Sequence, residues 1–307
     1  MSLLAVLLAI VLQYFAEQGD FLSVPDQWIS RYWRLVSGYL SNVGWQVGLV
    51  CAVLPLLLGL LLVQLVSTYL LHGLLNFAIV LLVLLLTLRV RNYSRVLAAY
   101  SKALAEQDWQ SGSKLAFELT EGVQADDFAR ANLQLGRWVS MDLFRGWFVG
   151  LFWFGVLGVY GATTYWLWRR LAIELSKRDD QERQGYLEGL YRYLYWAEYL
   201  PVRLWTAGYA LVGEFVPTFD WLMEELWGDL PSDQMVVQGS LLALGSVASS
   251  EPASVDNSDL HYSEETAEAI SEGDSLLELQ QIVRLNSRLF AIWLVLLVVS
   301  GLLGVLM

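Results

Sequence analysis

The stretch from Trp45 to Leu88 reads WQVGLVCAVLPLLLGLLLVQLVSTYLLHGLLNFAIVLLVLLLTL and contains no Asp, Glu, Lys or Arg. As a helix, its 44 residues would be long enough to cross a hydrocarbon core of about 30 Å twice, because a helix rises about 1.5 Å per residue. Polar residues between Ser67 and Asn76 interrupt the Leu/Val pattern and predict the turn between the two spans. The stretch therefore predicts an integral membrane protein.

The composition of the whole chain agrees with this prediction. Of the 307 residues, 56% are hydrophobic and only 16% are charged, whereas a soluble domain has roughly 25% charged residues. The 14 Trp and 15 Tyr are residue types that favour the membrane–water boundary. Leu289–Met307 is a further uncharged stretch and predicts a terminal span. Met1–Ala16 lacks the positive start and cleavage site of a secretory signal, so we expect a retained span.

Charge is unevenly distributed. The chain has 19 Lys and Arg against 31 Asp and Glu, and the stretch between Arg203 and Arg284 holds 15 acidic residues and no Lys or Arg. Its Ser-, Asp- and Glu-rich part predicts an acidic, partly disordered linker. Because no clustered basic surface is present, the sequence argues against a nucleic-acid partner. A lone Cys51 and two distant histidines, His72 and His261, predict neither an internal disulfide nor a metal site.

Gly146–Trp168 is uncharged but has basic residues on both flanks. One crossing cannot satisfy the positive-inside rule on both sides, whereas a re-entrant helical hairpin would leave both flanks in the cytoplasm. Gly155, Gly158 and Gly161 suit a helix break at its centre. The sequence leaves a hairpin and a single ordinary span open.

The expected architecture is an all-α integral membrane protein with about four transmembrane helices, a re-entrant hairpin or further span, and amphipathic cytoplasmic helices. Leu204–Gly213 is too short to span and is expected to be an interfacial helix. The predicted regions are 1–88 with three spans, 89–145 with cytoplasmic amphipathic helices, 146–230 with the hairpin or span and interfacial helices, 231–283 as the acidic linker, and 284–307 as the last span.

The sequence contains no strong catalytic motif. Ser111-Gly112-Ser113-Lys114 lacks the first glycine and the preceding strand of a phosphate-binding loop. With only two histidines, far apart and in unlike surroundings, a Ser-His-Asp triad is not expected. We therefore expect no cofactor and assign no catalytic or metal-binding residue.

One polar constellation could bind a ligand. On a helix, Asp126 and Arg130 share a face and can form an ion pair. Such pairs usually lie on the solvated surface and bind no ligand. Arg203 follows Pro201 and precedes an apolar helix, so pairing with Glu198 or with a phosphate headgroup is the simplest role for it. The alternative is an anion site. Its expected ligands are Arg130, Arg137 and Arg203, supported by Asp126, Asp127, Gly136 and Glu198.

The run Glu198-Tyr199-Leu200-Pro201-Val202-Arg203-Leu204, followed by Tyr209-Ala210-Leu211-Val212-Gly213, resembles the AmpE family. Glu118-Leu119-Thr120 and the apolar start through Phe15 add to the likeness. The resemblance implies a multi-pass protein of the bacterial inner membrane, in contact with membrane lipids. It also implies a functional link to an AmpD-type amidase.

The chain also resembles the CobD/CbiB family of adenosylcobinamide-phosphate synthases. Ala129-Arg130 with Gly136-Arg137, and Leu151-Phe152-Trp153-Phe154 with Tyr165, match motifs of that family. Several of the family's acidic and amide positions differ here. The substituted positions are Gln13, Trp138, Met141–Gly146, Arg169, Ala172, Tyr193-Leu194-Tyr195 and Glu198. Because Mg²⁺–nucleotide chemistry needs carboxylate ligands, the resemblance implies this fold without the synthase activity.

By its resemblance to the AmpE family, the leading functional hypothesis is a sensory or regulatory membrane protein linked to peptidoglycan recycling and β-lactamase induction. Its ligand would be a cell-wall fragment or another anion. The alternative is a divergent ATP-dependent amide-forming enzyme, for which Asp126, Asp127, Asp142 and Glu198 are the local carboxylate candidates. Whether the protein is an enzyme does not follow from the sequence, although the lost carboxylates argue against it. Four spans with almost no intramembrane charge make a transporter a weak third hypothesis.

Overall fold

The computed structural model of the chain is built from helices. It describes residues 2–15, 31–32, 54–55, 57–59, 61, 74–88, 93–106, 108–119, 128–176, 181–245 and 272–303, and these ranges contain no strand. The helices are α1 Ser2–Phe15, α2 Leu74–Thr87, α3 Tyr93–Ala105, α4 Trp109–Leu119, α5 Phe128–Leu143, a π-helical segment Phe144–Phe148, α6 Val149–Ser176, α7 Gln181–Val212, α8 Phe215–Glu224, α9 Ser232–Ala243 and α10 Glu272–Leu302. The all-α prediction is confirmed for the described residues.

The helices form two compact units. The first unit comprises Met1–Arg91, Arg145–Pro201 and Leu296–Met307, and the second comprises Asn92–Phe144 and Val202–Val295. In the first unit α1 packs against α2, and α2 packs against α6. The Gln13 amide donates to the carbonyl oxygens of Leu85 and Leu88, at 2.8 and 2.5 Å, and so satisfies acceptors that the end of α2 leaves open.

The chain reverses direction inside α6. Gly158 has φ 64° and ψ −152°, a conformation that essentially only glycine adopts. A Cβ on Gly161 would lie 2.5 Å from the carbonyl oxygen of Trp153, whereas residues with this separation stand about 12 Å apart in a straight helix. Residues 149–157 and 159–176 are therefore the two arms of a hairpin. A helix break at these glycines was predicted, and it lies at Gly158.

The second unit has a core between its amphipathic helices. Tyr100 from α3, Ala116 from α4, Leu135 from α5 and Leu279 from α10 are all buried in one cluster. Gly136 allows α10 to approach closely, because a Cβ there would lie 2.8 Å from Ile282 Cδ1. The helices expected in the 89–145 region are thus present as α3, α4 and α5. Ser111–Lys114 lies inside α4, as an ordinary helical segment.

A buried polar network joins three helices of the second unit. The Tyr209 hydroxyl donates to Asn286 Oδ1 at 2.8 Å, and Asn286 Nδ2 donates to Ser140 Oγ at 2.9 Å. These contacts join α5, α7 and α10 through buried side chains whose polar groups are hydrogen-bonded.

Two helices are long and apolar enough to cross a membrane. They are Ala131–Ser176, which comprises most of α5, the π-helical segment and α6, and Leu277–Ser300. An 18-residue window within each has a mean hydropathy of 1.4 and 2.0, respectively. Leu4–Gln13 and Asn76–Thr87 are shorter apolar helices. These lengths and compositions are consistent with a membrane protein.

Three regions differ from their predicted form. Leu204–Gly213 is not a separate interfacial helix, because residues through Val212 continue α7, with Trp205, Tyr209 and Ala210 buried. Part of the expected linker is helical: α9 lies in it, and Gly239 of that helix packs against Thr206 and Tyr209. Residues 272–283 of the expected linker are helical as well, at the start of α10. The rest of that prediction, residues 246–271, lies outside the described residues. Of the turn expected at 67–76, residues 74–76 are instead the start of α2, and residues 67–73 lie outside the described residues.

Candidate functional site

Glu198 is the centre of the strongest polar cluster in the first unit. It lies on α7 and keeps only 3% of its surface exposed. Arg145 Nε donates to both of its carboxylate oxygens, at 3.1 and 3.0 Å. The Tyr165 hydroxyl donates to Oε1 of the same carboxylate at 2.9 Å. Both oxygens of this buried carboxylate are therefore bonded by donors from other parts of the chain.

The hairpin is what brings these donors together. In a straight helix Arg145 and Tyr165 would stand about 30 Å apart, but the reversal at Gly158 lets both reach Glu198. Arg145 lies in the π-helical segment, a type of helix irregularity that is frequent at functional sites. Trp153 Nε1 donates to the Ala197 carbonyl at 3.1 Å, and so holds the first arm of the hairpin against α7.

The cluster has more positive than negative charge. Arg145 neutralises Glu198, while Arg169 is a second cation that interacts electrostatically with the Tyr165 hydroxyl. Within the described part of the chain, the Arg169 guanidinium has no hydrogen-bonded or ion-paired partner. The first unit thus carries an arginine that could bind an anion.

In the second unit, two of the sequence-predicted arginines contact the chain between the end of α8 and the first turn of α9. The Arg203 side chain is 5% exposed, and its guanidinium donates to the carbonyl oxygens of Leu226 and Gly228. Arg137 forms an ion pair with Asp233, with 3.0 Å between Nη2 and Oδ2. Arg203 thereby holds the connector 225–231 between α8 and α9, and Arg137 holds the first turn of α9.

The other predicted residues have different surroundings. Arg130 lies in α5, but its side chain is outside the described residues, as are Asp126 and Asp127 altogether. Gly136 has a packing role at α10, as described above. Glu198 is bonded to Arg145 and Tyr165. The anion-binding role of Arg130, Arg137 and Arg203 stays a prediction.

Sequence reasoning missed the cluster around Glu198. Arg145 and Arg169 were noted as basic flanks of an apolar stretch and as positions that differ from a family motif, and Tyr165 was noted as a family match. The available signal was the hairpin prediction itself, because a reversal at Gly158 places the two flanks side by side. Among the described residues, no group of three or more His, Cys, Asp or Glu side chains could hold a metal ion.

Comparison with known families matches residues 1–256 to the family described as regulatory signalling modulator protein AmpE. This chain belongs to the AmpE family. The AmpE match covers every residue of the Glu198 cluster and ends before α10 begins. No curated protein and no solved structure was found to match the chain. Membership in AmpE supports a regulatory role.

Proposed function

We propose that this chain is a multi-pass protein of the bacterial inner membrane that modulates β-lactamase induction in connection with peptidoglycan recycling. The AmpE family supports the regulatory part of the proposal. The apolar helices Leu4–Gln13, Asn76–Thr87 and Leu277–Ser300 and the α6 hairpin, in a re-entrant position, would make up its membrane region. It would act by recognising an anionic ligand, such as a cell-wall fragment, rather than by catalysis.

The state of Glu198 is the observation that favours recognition over the synthase alternative. An ATP-dependent ligation needs carboxylate oxygens that are free to hold Mg²⁺. Both oxygens of Glu198 are instead bonded to Arg145, and Oε1 also accepts from Tyr165. A carboxylate that is already neutralised by a guanidinium attracts a metal ion weakly. The cluster is built to fix the hairpin on α7.

Induction of β-lactamase in cells tests the regulatory proposal. We expect deletion of the gene for this chain to change β-lactamase activity after exposure to a β-lactam by several-fold. The wild-type chain should restore the original level, and so should the exposed-residue control Glu188→Gln. Unchanged induction in the deletion strain would remove the β-lactamase role. Mg²⁺-dependent ATP consumption by the purified protein with an amine acceptor would favour the enzyme instead.

Arg137 allows a separate test of ligand binding. Its side chain is 38% exposed, so replacing it disturbs packing less than replacing the buried Arg203. We expect Arg137→Ala to weaken the binding of a purified muramyl peptide about tenfold or more, the size of a charged hydrogen bond. Asp233→Asn is the matched control, because it releases Arg137 while keeping its charge. Equal affinities of both variants and the wild type would exclude Arg137 as a ligand.

A further inference from the structure

A small cavity of about 40 Å³ lies in the first unit, where three segments of the chain meet. The end of α2 contributes Thr87 and Leu88, and Gly146 comes from the π-helical segment. The second arm of α6 contributes Trp166, Arg169 and Arg170. Since a single water needs about 10–15 Å³ of such space, this volume admits a group of a few heavy atoms. We refer to it below as the Arg169 cavity.

The Arg169 cavity carries two polar groups whose hydrogen-bonding capacity is unused. Arg169 is half-buried, and within the described ranges no partner satisfies its guanidinium. Thr87 is 8% exposed, and its hydroxyl is buried with no hydrogen-bond partner among those same residues. Removing a charge or a hydroxyl from water without such a partner is costly. A ligand with several acceptor oxygens would offset that cost.

The backbone at the end of α2 opposes an anion less than a helix end without capping donors would. The carbonyl end of a helix normally attracts cations, and the end of α2 forms one wall. Here the Gln13 amide donates to the carbonyls of Leu85 and Leu88, so these acceptors are already satisfied. The cation Arg169 therefore remains the dominant unbalanced charge at the cavity.

The position of the cavity indicates where its ligand would come from. Leu88 is the last residue of one uncharged stretch, Gly146 is the first residue of another, and Trp168 is the last residue of that second stretch. All three stretch ends lie at or next to residues that line the cavity. Charged residues begin at the edge of an apolar layer, which is the level of lipid headgroups, and basic pockets between membrane helices on that level bind anionic headgroups.

We propose that the Arg169 cavity binds a phosphate group, with the Arg169 guanidinium as the main donor and the Thr87 hydroxyl as a second donor. The planar fork of a guanidinium matches two phosphate oxygens at once, which an ammonium group cannot do. The phosphate belongs either to an anionic phospholipid or to free inorganic phosphate. This site is separate from the predicted arginine trio and does not depend on the regulatory role.

The test uses the full-length protein and two sources of phosphate. In the lipid arm, native mass spectrometry counts phosphatidylglycerol molecules that stay bound after extraction from phosphatidylglycerol-containing nanodiscs. In the free-phosphate arm, the unfolding temperature is measured in phosphatidylcholine nanodiscs with and without inorganic phosphate, because a ligand that binds the native state raises it. The variants are Arg169→Gln, Arg169→Lys and the exposed control Arg192→Gln.

In the lipid arm, we expect the wild type and Arg192→Gln to keep one more phosphatidylglycerol molecule than Arg169→Gln. Alternatively, in the free-phosphate arm, inorganic phosphate should raise the unfolding temperature of the wild type and Arg192→Gln but not that of Arg169→Gln. The first result assigns the phosphate to a lipid and the second to free phosphate. Arg169→Lys keeps the charge without the fork, so its affinity should fall several-fold, and it serves as the test if Arg169→Gln does not fold. The proposal is overturned if the Arg169 variants match the wild type in both arms.

Discussion

Arg145 and Glu198 are 53 residues apart in the chain, yet Arg145 Nε lies 3.1 and 3.0 Å from the two carboxylate oxygens of Glu198. The Glu198 side chain is 4% exposed and that of Arg145 is 33% exposed. The carboxylate is thus buried, whereas the guanidinium is partly exposed. The ion pair attaches the segment before the first arm of the hairpin to α7. The Tyr165 hydroxyl, on the second arm of the hairpin, donates a hydrogen bond to the same carboxylate.

Loss of the Glu198 charge should loosen the hairpin. In Glu198→Gln the Tyr165 hydroxyl keeps an acceptor, but Arg145 loses its countercharge. We expect the free energy of unfolding to fall by about 1.5–3 kcal/mol, the value of hydrogen bonds to charged groups. Unfolding of the purified protein in mixed micelles, titrated with denaturing detergent, measures this change.

Glu188→Gln is the matched control for that experiment. Glu188 lies on the same helix but is exposed, and surface substitutions of this kind change stability by less than about 0.5 kcal/mol. If the Glu198 and Glu188 variants unfold at the same denaturant concentration, the cluster does not hold the hairpin.

Arg203→Lys should release the connector 225–231 between α8 and α9. Arg203 donates to the carbonyls of Leu226 and Gly228 from two different nitrogen atoms, and a lysine ammonium does not reproduce that fork. We expect amide hydrogen exchange in this segment to become at least tenfold faster, with exchange in α3 and α4 unchanged. Arg284→Lys, at an exposed position on α10, is the control and should leave the whole pattern unaltered.

The sequence predicts helices well wherever hydrophobic spacing carries the information. The apolar periods of α3, α4 and α5 and the glycines of α6 lead to the helices and the reversal that the structure has. The prediction was less accurate at Leu204–Gly213, since the charges at Arg203 and Glu214 suggested helix ends. Arg203 is instead accommodated inside α7 because its guanidinium donates to carbonyls of the connector that follows α8.

The Glu198 cluster could not be derived from spacing along one helix. Arg145, Tyr165 and Glu198 meet only after the chain reverses and α7 packs on the hairpin, and residue spacing along the chain does not reveal such tertiary contacts. A local rule such as the i, i+4 pairing of Asp126 with Arg130 reaches neighbours on a single helix. This is why sequence reasoning favoured residues close together in the chain over the partners that the fold provides.

The start of α4 should become less stable in acid. Asp108 accepts hydrogen bonds from the hydroxyl and the backbone N–H of Ser111, at 2.6 and 3.1 Å, as a helix N-cap does. The Ser111 hydroxyl is the main cause that lowers the pKa of Asp108 below its usual 3.8, with the backbone contact second. A lowered pKa means that this stabilisation is present above pH 3.8 and is lost as the pH falls through the lower value in the folded protein.

Hydrogen-exchange protection of the first amides of α4, corrected for intrinsic exchange rates, measures this effect between neutral pH and pH 3. The wild type should lose protection in acid. Asp108→Asn should keep protection at both pH values, because asparagine caps a helix without titrating, and Asp108→Ala should lack it at both. Equal pH dependence in the wild type and Asp108→Asn would show that the cap does not control this helix end.

The hairpin depends on two glycines for different physical reasons. Gly161→Ala would place a Cβ 2.5 Å from the Trp153 carbonyl oxygen and 2.7 Å from Leu157 Cβ, neither of which is a flexible side-chain end. Gly158→Ala meets nothing within 4 Å but requires φ 64° of an alanine. We expect each substitution to lower the free energy of unfolding by about 1–3 kcal/mol, through overpacking in the first and backbone strain in the second.

Gly150→Ala, on the first arm, separates these effects from the general result of replacing a glycine in α6. Its new Cβ would meet the Leu88 Cδ2 methyl at 3.2 Å, and this end of a side chain can move. Alanine also favours a helix over glycine by about 1 kcal/mol, so we expect little net loss. Detergent-induced unfolding should therefore rank Gly150→Ala close to the wild type and the other two clearly below it. If all three variants unfold alike, close packing and reversal at Gly158 and Gly161 do not determine the stability of the hairpin.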